Sequence, residues 1–277
     1  MSTEQQRLAL RHMEASPFPV LFSAGTQTRT KRVATRCERA HHYLKGVLEF
    51  DPTLRLLVLS PEDWAEYAAV QTYGMPHSAE GETLIVGAAT ADFFQSIGRM
   101  LDDVLTPEQR AEMEAFYGTV DGEISMAPFA DLLVVHELGH LFHEQVPFDF
   151  PRLWLMELFA NLCLHTYVAE AEPEQLPVWT VLPERMMELP TDRVQHRSLE
   201  DFERLYAGVG PENYVWYQCG LVVAAKRLYE AAGVDGLRRL YRTFATQQGT
   251  LTDQQLAELL EARVHPVAAQ TMRMWPR

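Results

Sequence analysis

Two histidines and a glutamate within five positions are the residues best suited to chemistry, in the run His136-Glu137-Leu138-Gly139-His140. On a helix, residues four apart share a face and lie about 6 Å apart along the axis. Their imidazoles can therefore bind one zinc ion at about 2 Å each. Glu137 is rotated to the side, where its carboxylate reaches a water molecule at the metal. The pattern predicts one Zn²⁺ per chain, bound by His136 and His140, with Glu137 as general base.

The same five-residue pattern arises by chance in roughly one chain in a hundred of this length. The surroundings favour a metal site, because the polar residues interrupt apolar stretches that end at Val135 and resume at Leu141. Burial of two histidines and a glutamate without partners would cost several kcal/mol.

A third protein ligand is expected, since catalytic zinc keeps three protein ligands and a water molecule. His143 and Glu144 follow His140 closely. However, His136 and His143 would be about 10 Å apart along the helix axis, too far for one zinc ion to bridge. His143 is therefore expected at the surface or as a hydrogen-bond partner of a ligand.

Glu157 is the remaining candidate for the third ligand, as the only acidic residue between Pro151 and Tyr167. A lone carboxylate on so apolar a segment requires a charged partner. Sixteen residues separate it from His140, enough for a turn and a returning helix. An ion pair with Arg152 and a surface carboxylate remain the alternatives.

The segment Trp154–Ala160 resembles the second zinc-binding helix of the gluzincins, the thermolysin-like and aminopeptidase N-like zinc peptidases. In these enzymes a helix that donates a glutamate follows H-E-x-x-H. The aminopeptidase N family has W-L-N-E-G-F-A there, and this chain differs from it at Met156 and Leu158. The resemblance implies that Glu157 is the third ligand. It also implies a zincin (thermolysin-like) fold and a metallopeptidase activity.

Two further roles follow from the same resemblance. Asn161 stands where these enzymes place a hydrogen-bond partner of a ligand histidine; an asparagine that merely lies on the helix face is the alternative. The segment that begins at Tyr217 is similar to the family's Y-x-K-G, which implies that Tyr217 donates to the oxyanion, although Cys219 replaces the lysine. Tyr214 is the second candidate, and a core tyrosine is the alternative.

A possible substrate-binding segment precedes the zinc helix. The loop that contains Met75 and His77, with the strand Thr83–Val86 after it, resembles the G-x-M-E-N loop and edge strand that bind substrate in that family. Met75, His77 and Leu84 are thereby candidate substrate-binding residues; the alternatives are a simple turn and a solvated histidine. Pro76 replaces the glutamate that would hold a free N-terminus, which disfavours strict aminopeptidase activity.

Charge and cysteine content restrict the partners. The chain has 277 residues and a formal net charge of −14, which disfavours nucleic acid and anionic membranes. Its three cysteines are far apart in sequence and form no metal or disulfide motif, which favours reduced thiols and a cytoplasmic location. We expect the substrate to be a peptide or an unfolded polypeptide. We also expect no association with a membrane, and a monomer rather than an oligomer.

The elements that must position these residues indicate an α+β fold. Strands are predicted early, at Leu54–Leu59 and Thr83–Val86, with a loop over Tyr73–Glu82. Helices are predicted over Glu4–Ala15, after an N-cap at Ser60 and over Phe129–Gln145, and they dominate later. The chain is expected to be a single catalytic unit, residues 1–277. It would comprise a mixed sheet-and-helix half, 1–146, that ends with the H-E-x-x-H helix, packed against a helical half, 147–277.

Three functions are compatible with this pattern. The first is a zinc-dependent peptidase that uses a metal-activated water. The second is a zinc hydrolase that acts on a non-peptide bond. The third is a non-catalytic binding protein with a zincin fold, which the intact set of His136, Glu137, His140 and Glu157 disfavours.

Overall fold

The computed structural model describes residues 10–102, 104–147, 150–192, 194–247 and 249–275. These residues form a mixed α+β fold with a small sheet, so the predicted fold class is confirmed at that level.

The chain divides into two compact units. Unit 1 consists of Met1–Lys45 and Phe50–Gln145, and unit 2 of Gly46–Glu49 and Val146–Arg277. The sheet belongs to unit 1, whereas the regular elements in the described part of unit 2 are all helices. That the chain acts as a single catalytic unit stays a prediction.

Unit 1 contains a five-stranded sheet with the order β1-β2-β3-β5-β4. Its three inner strands are parallel to one another, and the two outer strands are antiparallel to their neighbours. The two strands predicted from apolar runs correspond to β3 and β5, whose side chains are almost all buried. The strands are β1 (Arg11–His12), β2 (Val20–Phe22), β3 (Arg55–Leu59), β4 (His77–Ala79) and β5 (Thr83–Gly87).

The expectation that Thr83–Val86 forms an edge strand is wrong. Leu84 of β5 pairs with Leu56 of β3 on one side and with Ser78 of β4 on the other. A turn at Gly81, where φ is +69°, folds β4 back onto β5. The edge is therefore β4, within a segment predicted as loop, because strand order depends on this reversal and not on the apolar run.

The helices of the first part of the chain agree in place with the apolar periodicity. As predicted, Ser60 caps α2, since its hydroxyl accepts a hydrogen bond from the Asp63 backbone at 3.4 Å. The helix predicted over Phe129–Gln145 is divided into two. The helices are α1 (Gln27–Leu48), α2 (Pro61–Tyr67), α3 (Asp92–Asp102), α4 (Pro107–Tyr117), α5 (Ala127–Ala130) and α6 (Leu133–Glu144).

A helix predicted over Glu4–Ala15 is not found in its described part. Residues 4–9 lie outside the described residues, and the remainder contains β1. Pairing of β1 with β2 outweighs the weak local helical preference.

In unit 2, α7 and α10 pack against each other, and α8 packs on α10. The carboxylate of Glu203 caps the first turn of α7, where it accepts hydrogen bonds from the Leu153 and Trp154 backbones at 3.0 Å each. The helices are α7 (Leu153–Ala171), α8 (Leu176–Glu188), α9 (Leu199–Leu205), α10 (Pro211–Ala232), α11 (Val234–Thr246), α12 (Asp253–Leu259) and α13 (Pro266–Met274). A π-helical turn, Leu260–Val264, joins the last two.

The cysteines Cys37, Cys163 and Cys219 are buried free thiols. Within the described ranges, every helix is too short or too polar to cross a lipid bilayer.

Candidate metal centre

The two histidines of the H-E-x-x-H sequence lie on α6 of unit 1, and their ring nitrogens converge. The Nε2 atoms of His136 and His140 are 3.2 Å apart, and each side chain is only 7% exposed. Two nitrogens at 2.0–2.1 Å from one zinc ion and 3.2 Å from each other subtend about 100–106° at the metal. The pair therefore fits two corners of a tetrahedral zinc site.

This spacing also suits an N–H···N hydrogen bond between the two rings. The chemistry of the donors fits a divalent metal, because neutral imidazole is a common zinc ligand. Glu137, next to His136 on the same helix, is half-buried.

His143 follows one turn after His140 and is also buried. Its Nε2 atom lies 3.0 Å from Nδ1 of His140. His140, His143 and Glu144 bring one ligand atom each within 4.8 Å of one another. The expectation that His143 is a surface residue is wrong, whereas the expectation of a hydrogen-bond partner agrees with this contact.

Gln145 holds the C-terminal end of α6 in place through three hydrogen bonds of 2.7 Å. Its side-chain oxygen accepts from the Thr53 backbone, and its amide donates to the carbonyls of Thr53 and Gly81. Beside it, Glu144 accepts a 3.0 Å hydrogen bond from the Ser78 hydroxyl. These contacts fix the C-terminal end of α6 against the β4–β5 turn and the edge strand β4.

The loop before β4 contains Met75, and His77 is the first residue of β4. Gly74 of this loop approaches Gly87 so closely that a β-carbon on Gly87 would lie 2.7 Å from the Gly74 Cα atom. Both ring nitrogens of His77 have partners: Nε2 accepts from the Ala69 backbone at 3.2 Å, and Nδ1 donates to the Met75 carbonyl at 2.9 Å. Burial lowers the pKa of His77, so its ring is neutral near pH 7.

Leu84 is fully buried and its backbone pairs on both sides. Its main chain therefore offers no open edge to a peptide. Met75 is half-buried and lies two residues before the start of β4.

Glu157 lies on α7 of unit 2 and is 1% exposed, which excludes the surface-carboxylate alternative. Tyr206 donates to its Oε1 atom at 2.5 Å, and Gln218 donates to its Oε2 atom at 2.9 Å. The Arg152 guanidinium forms an ion pair with Asp253 at 2.6 Å, whereas the sequence had allowed Glu157 as its partner. An ionised carboxylate has about four acceptor positions, more than the two that these hydrogen bonds use.

Gln218 has a fixed amide orientation within this network. Its nitrogen donates to Glu157 and to the Tyr214 hydroxyl at 3.1 Å. Its oxygen accepts a 3.4 Å hydrogen bond from Asn161. Asn161 is 1% exposed, and this contact links it to the residue that holds Glu157.

Tyr206 has a backbone conformation that is unusual for a residue with a side chain, with φ of 45° and ψ of −120°. Such conformations cost on the order of 1–3 kcal/mol and persist where the surroundings enforce them. Burial and the negative charge of Glu157 raise the pKa of Tyr206, so the phenol remains a proton donor.

Tyr217, the predicted oxyanion donor, is fully buried. Its hydroxyl donates to the Ser198 carbonyl at 2.7 Å, and its ring stacks on Trp275. This contact uses its only hydroxyl proton. The contacts of Tyr206 and Gln218 were missed by the sequence reasoning, because they join residues 49 and 61 positions apart.

Unit 1 thus contains a buried imidazole pair, and unit 2 contains a buried, hydrogen-bonded carboxylate. No protein-family model, curated protein or solved structure matches the chain.

Proposed function

We propose that this chain is a zinc-dependent metallopeptidase of the gluzincin type with a zincin fold. His136, His140 and Glu157 would bind one zinc ion, and Glu137 would act as general base. The main supporting observation is the 3.2 Å separation of the two Nε2 atoms on a buried helix face. Each of the three proposed ligands is buried and offers an atom of a type that zinc accepts.

Zinc, when bound, polarises a scissile carbonyl and lowers the pKa of a water molecule toward 7. Glu137 would accept the proton of the attacking water and pass it to the leaving amine nitrogen. Tyr206 and Gln218 keep the Glu157 carboxylate in one orientation, since each binds a different oxygen. The chain's own residues thus provide proton transfer and ligand orientation.

The edge strand β4 supports peptide as the substrate. It is the outermost strand on its side of the described sheet, and its residue Ser78 donates a hydrogen bond to Glu144 at the end of α6. An extended peptide adds to such an edge through main-chain hydrogen bonds. Peptide or unfolded polypeptide would then lie along β4, near Met75 and His77, and not along Leu84.

Tyr206 and Tyr217 each donate a hydroxyl hydrogen bond, to Glu157 and to the Ser198 carbonyl respectively, and phenylalanine variants test what each bond does. We expect Tyr206→Phe to lower zinc affinity about 10- to 100-fold, because Glu157 loses an orienting hydrogen bond. We expect Tyr217→Phe to reduce thermal stability, because the Ser198 carbonyl loses its donor, and to leave zinc affinity unchanged.

Both variants are titrated with zinc against a chromogenic chelator, and their steady-state kinetics are measured. A loss of kcat in Tyr217→Phe at unchanged zinc affinity and stability would instead support the oxyanion role predicted for Tyr217.

The function is tested by metal reconstitution followed by a fluorogenic peptide-library screen. We expect one zinc ion per chain, cleavage of library peptides, loss of cleavage with a chelator and recovery on addition of zinc. Stoichiometric zinc without cleavage of any peptide would favour the non-peptide hydrolase, or the binding protein if hydrolysis of other bonds is also absent. Failure to take up zinc would overturn the proposal. The cytoplasmic location and the monomeric state stay predictions.

A further inference from the structure

His143 is a buried histidine to which the proposed mechanism gives no role. It lies one turn beyond His140 on α6 and is 5% exposed. Its Nε2 atom is 3.0 Å from Nδ1 of His140, at normal hydrogen-bond distance. We propose that His143 is a positioning residue that fixes the tautomer of His140. This inference rests on the proposed zinc site.

A count of ring protons gives the physical reason. A neutral imidazole carries one N–H and one lone pair. Nε2 of His140 faces Nε2 of His136, so metal binding requires a lone pair there and places the His140 proton on Nδ1. That proton points to Nε2 of His143, which accepts it and keeps its own proton on Nδ1.

Burial makes this contact important. In water, either tautomer of His140 would find a solvent partner for its N–H group. At 7% exposure for His140 and 5% for His143, the protein must supply the acceptor. The rings are nearly perpendicular, with centroids 5.3 Å apart, so the contact is edge-directed and not a stack.

The partner also determines the charge near the metal. Ligand histidines commonly donate to a carboxylate or a carbonyl oxygen. Here the proposed acceptor is a ring nitrogen, which would fix the tautomer without adding a negative charge. Glu144, the residue that follows His143, accepts a hydrogen bond from the Ser78 hydroxyl.

A second metal ion at His140, His143 and Glu144 is the competing interpretation of this cluster. Simultaneous occupation of both sites would require His140 to bind metal through both nitrogens and to lose its remaining ring proton. A 3.0 Å hydrogen bond between the two rings requires no such loss.

The test compares His143→Phe with His143→Gln in the full chain. Phenylalanine preserves the ring shape and removes the acceptor, whereas the glutamine oxygen can accept from His140. Zinc affinity is measured by chelator competition, and the Co²⁺-substituted proteins are compared by their visible absorption. We expect His143→Phe to weaken zinc binding about 10- to 100-fold and to change the Co²⁺ spectrum. His143→Gln should restore most of both.

Zinc affinity and a Co²⁺ spectrum unchanged in His143→Phe would overturn the inference and leave the zinc site intact. Equal losses in the two variants, with matching losses of thermal stability, would show a packing role and overturn it as well. Two metal ions in the wild type, one of them lost in His143→Phe, would establish the second metal site instead. Absence of metal from the wild type would overturn both this inference and the proposed function. If His143→Phe does not fold, His143→Leu replaces it in the same comparison.

Discussion

Glu137→Gln is expected to retain zinc and to lower kcat/KM for peptide cleavage by a factor of about 10²–10⁴. Glutamine has nearly the shape of glutamate but cannot accept a proton at neutral pH. The metal ligands are unchanged, so zinc content should stay at one ion per chain. The measurement combines elemental analysis of the purified variant with steady-state kinetics on the best peptide from the library screen.

Glu144→Gln provides the matched control, because it is the same substitution on the same helix two turns later. It replaces the acceptor of the Ser78 hydroxyl with an amide that can still accept, so kinetics should be close to wild type. Full activity in Glu137→Gln would show that Glu137 is not the base. A parallel loss of zinc would show that the substitution disturbs the metal site.

Glu157→Ala is expected to weaken zinc binding by more than about 100-fold. Loss of a direct ligand exceeds the 10- to 100-fold effect typical of residues that only orient ligands. The substitution also removes the shared acceptor of Tyr206 and Gln218. Zinc affinity is measured by competition with a chelator of known affinity, and folding is checked by circular dichroism and the thermal midpoint without metal.

Glu170→Ala is the control for this substitution, since Glu170 lies on the same helix α7 and is exposed. It loses a hydrogen bond from Tyr229 and should bind zinc as the wild type does. Full metal occupancy at wild-type affinity in Glu157→Ala would mean that another residue is the third ligand. This outcome would leave the roles of His136 and His140 untouched.

Local sequence was sufficient for the elements whose stability is local. The capping of α2 by Ser60 and the strands β3 and β5 follow from cap chemistry and short apolar runs. The short strands β1 and β4 were not predicted, because two or three residues carry too little pattern. Both exist through pairing with a neighbouring strand, which is a non-local interaction.

In the candidate site, too, some features follow from local sequence and others from tertiary packing. The sequence by itself determined the approach of His136 and His140, because positions i and i+4 of any α-helix share one face. It also selected Glu157 as an isolated carboxylate on an apolar helix, and the structure agrees that this residue is buried.

Only the tertiary structure decided which residues surround these groups. Tyr206 reaches the Glu157 carboxylate, Tyr217 donates to the Ser198 carbonyl, and β4 and not β5 is the outer strand on that side of the described sheet. These outcomes depend on how α7, α9 and α10 pack and on how a turn reverses the chain at Gly81. Helical spacing constrains neighbours within one or two turns, whereas contacts between residues about 50 positions apart are selected by the packing of whole elements.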